Sequence, residues 1–260
     1  MRMRDRVLLI ALTVWVFTPI AMLAWRALAQ SWRFPAIVPE TAGLGPALAA
    51  TTSGRLGAAL WVSVGLALAA GLIGTIIGFG IAHTAARSTG TTRRLTLAAA
   101  FFTVIAPPLA LGVGLQVAML GIGLGGSVAG VLLAHLVPVT GYLTLFAVGV
   151  LSTLDPALED EARTLGASRV QVVSRVLIPL LRGRLVEALM LGGLVSWGQV
   201  ALTLLVGGGL VRTLPVELMS IIQSGNDRAA AIAALMLSLP PMLGIGLLTV
   251  GVRRAGASIQ

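Results

Sequence analysis

An all-α membrane protein with six spans is the fold class this sequence predicts, on three observations. Of its 260 residues 57% are hydrophobic and only 10% charged, where a soluble domain carries about 25% charged residues. Its mean hydropathy is +0.99. Its apolar runs are long and continuous, whereas a β-barrel shows alternating segments of about ten residues. The chain has no cysteine, which excludes disulfide and thiol chemistry. All 18 basic residues are arginines, and most stand at the ends of apolar runs. The net charge of +9 therefore reads as membrane topology rather than nucleic-acid affinity.

Charged residues bound five uncharged runs: 7–25, 56–86, 95–154, 188–211 and 229–252. A helix needs about 20 residues to cross about 30 Å of hydrocarbon. The third run is too long for one crossing, and Gly121-Ile-Gly-Leu-Gly-Gly-Ser127 near its middle makes a tight turn. The expected spans are 7–28, 56–84, 95–119, 127–152, 186–207 and 229–252, all within a single transmembrane domain, 1–260. The first run has a basic start and an Ala27-Leu28-Ala29 site. Its apolar core exceeds the ~7–15 residues of a signal peptide, so it is read as a retained span. Residues 30–55, with Pro35, Pro39 and Pro46, make an irregular outer loop. Gly57, Gly65, Gly71, Gly74, Gly78 and Gly80 in the second span, and Gly192, Gly193 and Gly198 in the fifth, suit close helix packing. Internal repeats are not evident.

Arginine placement sets the direction. With the N-terminus inside, thirteen arginines (Arg2, Arg4, Arg6, Arg87, Arg93, Arg94, Arg163, Arg169, Arg175, Arg182, Arg184, Arg253 and Arg254) are cytoplasmic. Five (Arg26, Arg33, Arg55, Arg212 and Arg228) are left outside. The expected topology is N-in and C-in.

Between spans four and five lies a charged amphipathic loop, 155–182. Asp155 is a helix N-cap and Pro156 suits the first helical position. Leu158, Ala162 and Leu165 share one apolar face. Glu159 and Arg163 stand at i and i+4 in the favourable order. Glu159, Asp160 and Glu161 occupy the first turns, where the helix dipole favours acids. Gly166 ends this helix in a left-handed conformation. Ser168 caps a second helix with Val172, Val173 and Val176 on one side, and Pro179 terminates its pattern. A bare helix connection needs only ~2–8 residues, so a structured loop of this length implies a docking partner. A helix lying on lipid is disfavoured, because its acidic cluster would meet an anionic leaflet.

This loop resembles the signature loop of the permeases of binding-protein-dependent ABC importers, Glu-Ala-Ala, three residues, Gly, nine residues, Ile, one residue, Leu-Pro. Asp160, Glu161 and Ala162 take the first three places, Gly166 the glycine place, and Val176, Ile178 and Pro179 the last ones. Asp160 stands for Glu and Glu161 for Ala. The neighbouring Arg163, Leu165, Ala167 and Ser168 also look like the family. The resemblance implies a methionine-importer-like transmembrane fold in the bacterial inner membrane. It implies a pair of permease subunits, identical or homologous, whose loops couple to a cytoplasmic ATPase dimer. It also implies an extracytoplasmic solute-binding protein. ATP and Mg²⁺ then belong to the ATPase; this chain is not an enzyme and holds no cofactor or metal of its own.

Polar residues within spans are costly and often functional. Gln116, Tyr142, Ser196, Trp197, Gln199 and Thr203 are candidates for a translocation pathway; His135 is read as an interhelical hydrogen-bonding residue. Asn226, Asp227 and Arg228 lie on the outer side, where a binding protein or solvent meets them. The tail Thr213-Leu-Pro-Val and Ile222-Gln-Ser-Gly-Asn-Asp look most like permeases for polyamines, ferric iron, thiamine, sulfate or phosphonates. Two other classes are weighed. An ion-driven secondary transporter wants acids inside its spans, and all nine acidic residues fall outside the uncharged runs. A membrane scaffold without transport has no use for a coupling loop.

Overall fold

The computed structural model describes residues 3–32, 36, 38–43, 45, 49, 54–155 and 157–257, with side chains described as far as residue 244. Arg2, Arg33, Pro35, Pro46 and Pro156 lie outside the described residues, as do the side chains of Arg253 and Arg254. The described chain is predominantly helical and forms two compact units, 1–62 with 213–260, and 63–212.

In the first unit, α1 (Met3–Leu28) packs along α11 (Asp227–Ala257), and α10 (Leu214–Gln223) packs on α11 as well. The chain leaving α1 forms a short antiparallel pair, β1 (Ala29–Ser31) with β2 (Thr41–Ala42). Polar contacts collect at this end of α1. Arg26 lies 3.8 Å from Asp227, its guanidinium 5.8 Å from the centre of the Trp32 ring. Arg228 Nε donates to the Ala27 carbonyl at 3.3 Å. Glu217 on α10 is buried and pairs with Arg55 at 3.6 Å.

In the second unit, α2 (Gly54–Arg87) contributes its residues from Ser63 onward. There follow α3 (Gly90–Ile105), α4 (Pro108–Gly121), α5 (Val128–Leu151), α6 (Ala157–Thr164), α7 (Arg169–Val172), a π-turn (Val173–Leu177), α8 (Ile178–Trp197) and α9 (Ala201–Gly207). Ala70, Val139, Leu143 and Ala188 form a core between α2, α5 and α8. Small residues let these helices touch at the backbone. A Cβ on Gly71 would stand 2.6 Å from the Leu189 carbonyl oxygen and 3.1 Å from the Gly193 nitrogen. On Gly192 it would stand 3.1 Å from Gly71 Cα. The glycines of these two helices mark a crossing that admits no side chain.

Met3–Leu28, Gly54–Arg87 and Val128–Leu151 are each long and apolar enough to cross a membrane; two bent pairs raise the number to as many as five among the described residues. Two of the expected spans are bent. Span 95–119 is two helices meeting at 105° across Ala106 and Pro107. Consecutive prolines supply no N–H there, and they push the preceding residues out of helical geometry; Ala106 sits at ψ 133° and Pro107 at ψ 126°. Span 186–207 is likewise α8 followed by α9 at 63°, broken around Gly198. The expected turn at 121–127 is present, with Gly123 and Gly126 both at positive φ and Ser127 capping α5 through Gly130 N at 3.0 Å.

Candidate functional site

The 155–182 loop folds as a helix, a glycine reversal and a second helix. Asp155 Oδ1 accepts from Ala157 N at 2.9 Å and opens α6. Gly166, at φ 87°, closes it. Ala167 N donates to Ala162 O at 3.0 Å and Gly166 N to Arg163 O at 2.9 Å, the paired bonds of a Schellman cap. Ser168 then opens α7. Its hydroxyl accepts from Gln171 N at 3.3 Å while its own N–H donates to Gln171 Oε1 at 2.8 Å. This reciprocal capping box was legible in the Ser168-x-x-Gln171 spacing and was missed.

Pro179 does not terminate the second helix. Helical structure runs from Arg169 to Trp197, and Pro179 sits at the start of α8. The π-turn just before it explains why. Ile178 N donates to Val173 O, a five-residue step that accommodates the proline's missing donor and ring within a continuous helix.

The first helix of the loop, α6, is tied down by charge rather than by its expected apolar face, whereas the second half buries Val172 and Leu177. Leu165 is 88% exposed and Leu158 39% exposed, while Glu159 is buried. Their spacing did place them on one face, but the helix turns an acid inward, toward the end of α2. Arg87 pairs closely with Glu159, His83 Nε2 lies 3.2 Å from both its carboxylate oxygens, and Arg163 reaches it at 4.0 Å. Arg87 also reaches Asp160 at 3.9 Å. The Glu159–Arg163 pair was expected; Arg87 and His83 were not, although their i,i+4 spacing puts both on one face of α2. A cleft of about 500 Å³ opens beside this cluster, with Arg163, Arg169 and Val172 in its wall. The outer surface of the loop presents Leu165, Gly166 and Val170, the last 76% exposed. Asp160, Glu161, Arg163, Ser168, Ile178 and Pro179 are also exposed, and Ala162, Ala167 and Val176 are half-buried.

Some 30 residues further on, the polar residues of the bent pair converge. His135 on α5 is fully buried, its Nδ1 2.9 Å from Ser196 Oγ and its Nε2 2.9 Å from Thr203 Oγ1. Thr203 also donates to the Gln199 carbonyl at 2.8 Å. Trp197 is buried beside them; Gln199 is half-buried at the corner. Gln116 on α4 is half-buried, and Tyr142 on α5 is 38% exposed. A further cavity of about 510 Å³, walled by Ile76, Phe79, Leu181 and Leu189, lies between α2 and α8.

The model of one protein family, described as the binding-protein-dependent transport system inner membrane component, matches residues 73–254, from within α2 through the loop and into α11. The chain belongs to this family. It is a transport permease of the ABC-importer type, located in the inner membrane. The permease is 32% identical over 203 residues to the molybdenum transport system permease protein ModB of Mycobacterium tuberculosis, covering 72% of this chain and 77% of that one. It is 27% identical over 227 residues to the putative 2-aminoethylphosphonate transport system permease protein PhnV of Salmonella typhimurium, covering 86% and 84%. It is 25% identical to the spermidine/putrescine transport system permease protein PotC of Haemophilus influenzae, of which it spans about half the length, 54%. Its fold matches a chain in the crystal structure of a bacterial ABC transporter involved in the import of the acidic polysaccharide alginate. That match has a TM-score of 0.70 at 16% identity and covers 94% of each chain. A second alginate transporter structure, in complex with its alginate pentasaccharide-bound periplasmic protein, matches with a TM-score of 0.68 at 14% identity, over 97% and 96% of the chains.

Proposed function

We propose that this permease crosses the inner membrane six times, N-in and C-in, as one permease domain. A second permease subunit, identical or homologous, completes the translocation pathway. The 155–182 loop is then cytoplasmic and docks into a groove on an ATPase dimer. ATP and Mg²⁺ are bound and consumed by that dimer, and a solute-binding protein delivers cargo to the outer face. The observation that carries this reading is the loop itself: two capped helices about Gly166, with Leu165 and Val170 presented outward and Glu159 anchored on α2. Exposed apolar side chains beside a rigid turn suit a protein groove better than water.

The cargo is a small polar solute, of the range spanned by the polyamine, phosphonate and molybdenum relatives. Gln199, Gln116 and Tyr142 are the pathway-lining residues of this reading; Ser196, Trp197 and Thr203, buried at the corner, support them. The test is purification of the tagged permease from native membranes under mild detergent, with identification of what accompanies it. An ATPase subunit and a solute-binding protein are expected. Recovery of the permease alone, after crosslinking through residues of the loop, would overturn the reading and bring forward an ion-driven carrier. Ligand screening of the recovered binding protein then names the cargo.

A further inference from the structure

We propose that His135 is a positioning residue: it latches the corner between α8 and α9 and so sets where loop movement is converted into pathway movement. This rests on the permease reading above and adds to it a mechanical part.

The two helices at the corner are held differently. α9 is tied to the helices before it. Gly126 N donates to Val206 O at 2.8 Å, and a Cβ on Gly112 of α4 would meet Leu205 Cδ1 at 2.6 Å. α8 also packs on α2 and α5, but unlike α9 it is continuous through the π-turn with α7. The helix from Arg169 to Trp197 is a lever of about 40 Å at 1.5 Å per residue, with the docking loop at one end. Its other end is Ser196 and Trp197, followed by Gly198 and the 63° bend. Movement of the loop therefore arrives at this corner.

His135 bridges the two sides there, one ring nitrogen to each. The hydrogen count assigns its state. Thr203 has one hydroxyl hydrogen, and gives it to the Gln199 carbonyl at 2.8 Å. Its oxygen must then accept from His135, so Nε2 carries the hydrogen. Nδ1 is left bare in the neutral ring and accepts from the Ser196 hydroxyl. All three side chains are buried, at 1%, 3% and 0% exposure, so every bond broken leaves a polar atom without water. An arrangement with two bonds made and none to spare has a discrete closed state. Swinging α8 against α9 must release the Ser196 bond, the Thr203 bond, or both.

The chain has no cysteine, so two can be introduced for spin labels, Val186→Cys on α8 and Leu204→Cys on α9. Both positions are exposed. In the permease complex with its ATPase and no nucleotide, the label pair is expected to give one narrow distance distribution. His135→Ala, and the milder Ser196→Ala and Thr203→Val, are expected to broaden it. They are also expected to lower solute uptake per ATP hydrolysed by about five- to tenfold, the scale of one net hydrogen bond. His135→Asn, which can reach only the Ser196 side, is expected to fall between. A distribution as narrow in Ser196→Ala and Thr203→Val as in the parent would overturn the latch, even if uptake fell. So would a parent distribution already broad. Failure of the parent complex to couple ATP hydrolysis to uptake at all would instead sink the permease reading.

Discussion

Gly166 is the residue on which the loop turns, and its surroundings say what kind of constraint it meets. It sits at φ 87°, and a Cβ there would meet nothing within 4 Å. The demand is conformational, of order 1 kcal/mol for a side chain in the left-handed region, and space is not limiting. Gly166→Val is expected to leave insertion intact and to uncouple ATP hydrolysis from uptake, whereas Gly166→Asn, which tolerates that region, retains most of it. Normal uptake by the valine variant would remove Gly166 from the mechanism. Glu159 poses the opposite case, a side chain defined by its contacts. Glu159→Gln keeps the shape but removes the charge facing Arg87 and His83. It is expected to loosen the loop by ~1.5–3 kcal/mol, the range for a hydrogen bond to a charged group. Faster amide exchange across 157–172, with unchanged exchange in α5, is the signature to look for.

Among the elements, α2 and α8 are matched by their glycines. Gly71→Ala places a methyl group 2.6 Å from a backbone carbonyl oxygen on α8, which no rotamer change relieves. Thermal stability in detergent is expected to fall markedly, while Gly65→Ala, with nothing within 4 Å, holds the parent value. Equal melting of the two variants would show that the crossing is looser than drawn. The same elements show what the sequence made legible. Charges and apolar runs located α1, α2 and α5 to within a few residues, because an arginine at mid-bilayer costs about 2.5–3.5 kcal/mol and so marks a boundary. Hydropathy is blind to direction, however, and each corner fell inside a stretch expected as one span, 95–119 and 186–207. The Pro107-Pro108 corner was there to be read; the one at Gly198 depends on packing around α9, which a local pattern does not carry. Pro179 misled for a related reason: a proline is a stop only if the turn before it cannot widen.

At the scale of the whole molecule, family membership and the loop were legible together, since spacing about Gly166 is a local property. The buried cluster was legible only in part. His135 was expected to bond between helices and does, but its partners lie 61 and 68 residues away. The anchors of Glu159 are as remote, at 76 residues for His83. Long-range pairing of this kind leaves no periodic trace. On the proposed reading substrate choice stays with the whole assembly, so ligand screening of the co-purified binding protein decides it.

The caps of the loop have one further consequence. Asp155, the Schellman bonds at Gly166 and the Ser168–Gln171 box satisfy its backbone from within. The element holds its shape before anything arrives. A protein that grips it meets a finished key and need not fold it, so no ordering entropy is charged against the encounter. Calorimetry of that encounter should show the modest negative heat-capacity change of rigid apolar contact, without the large one that accompanies folding on binding.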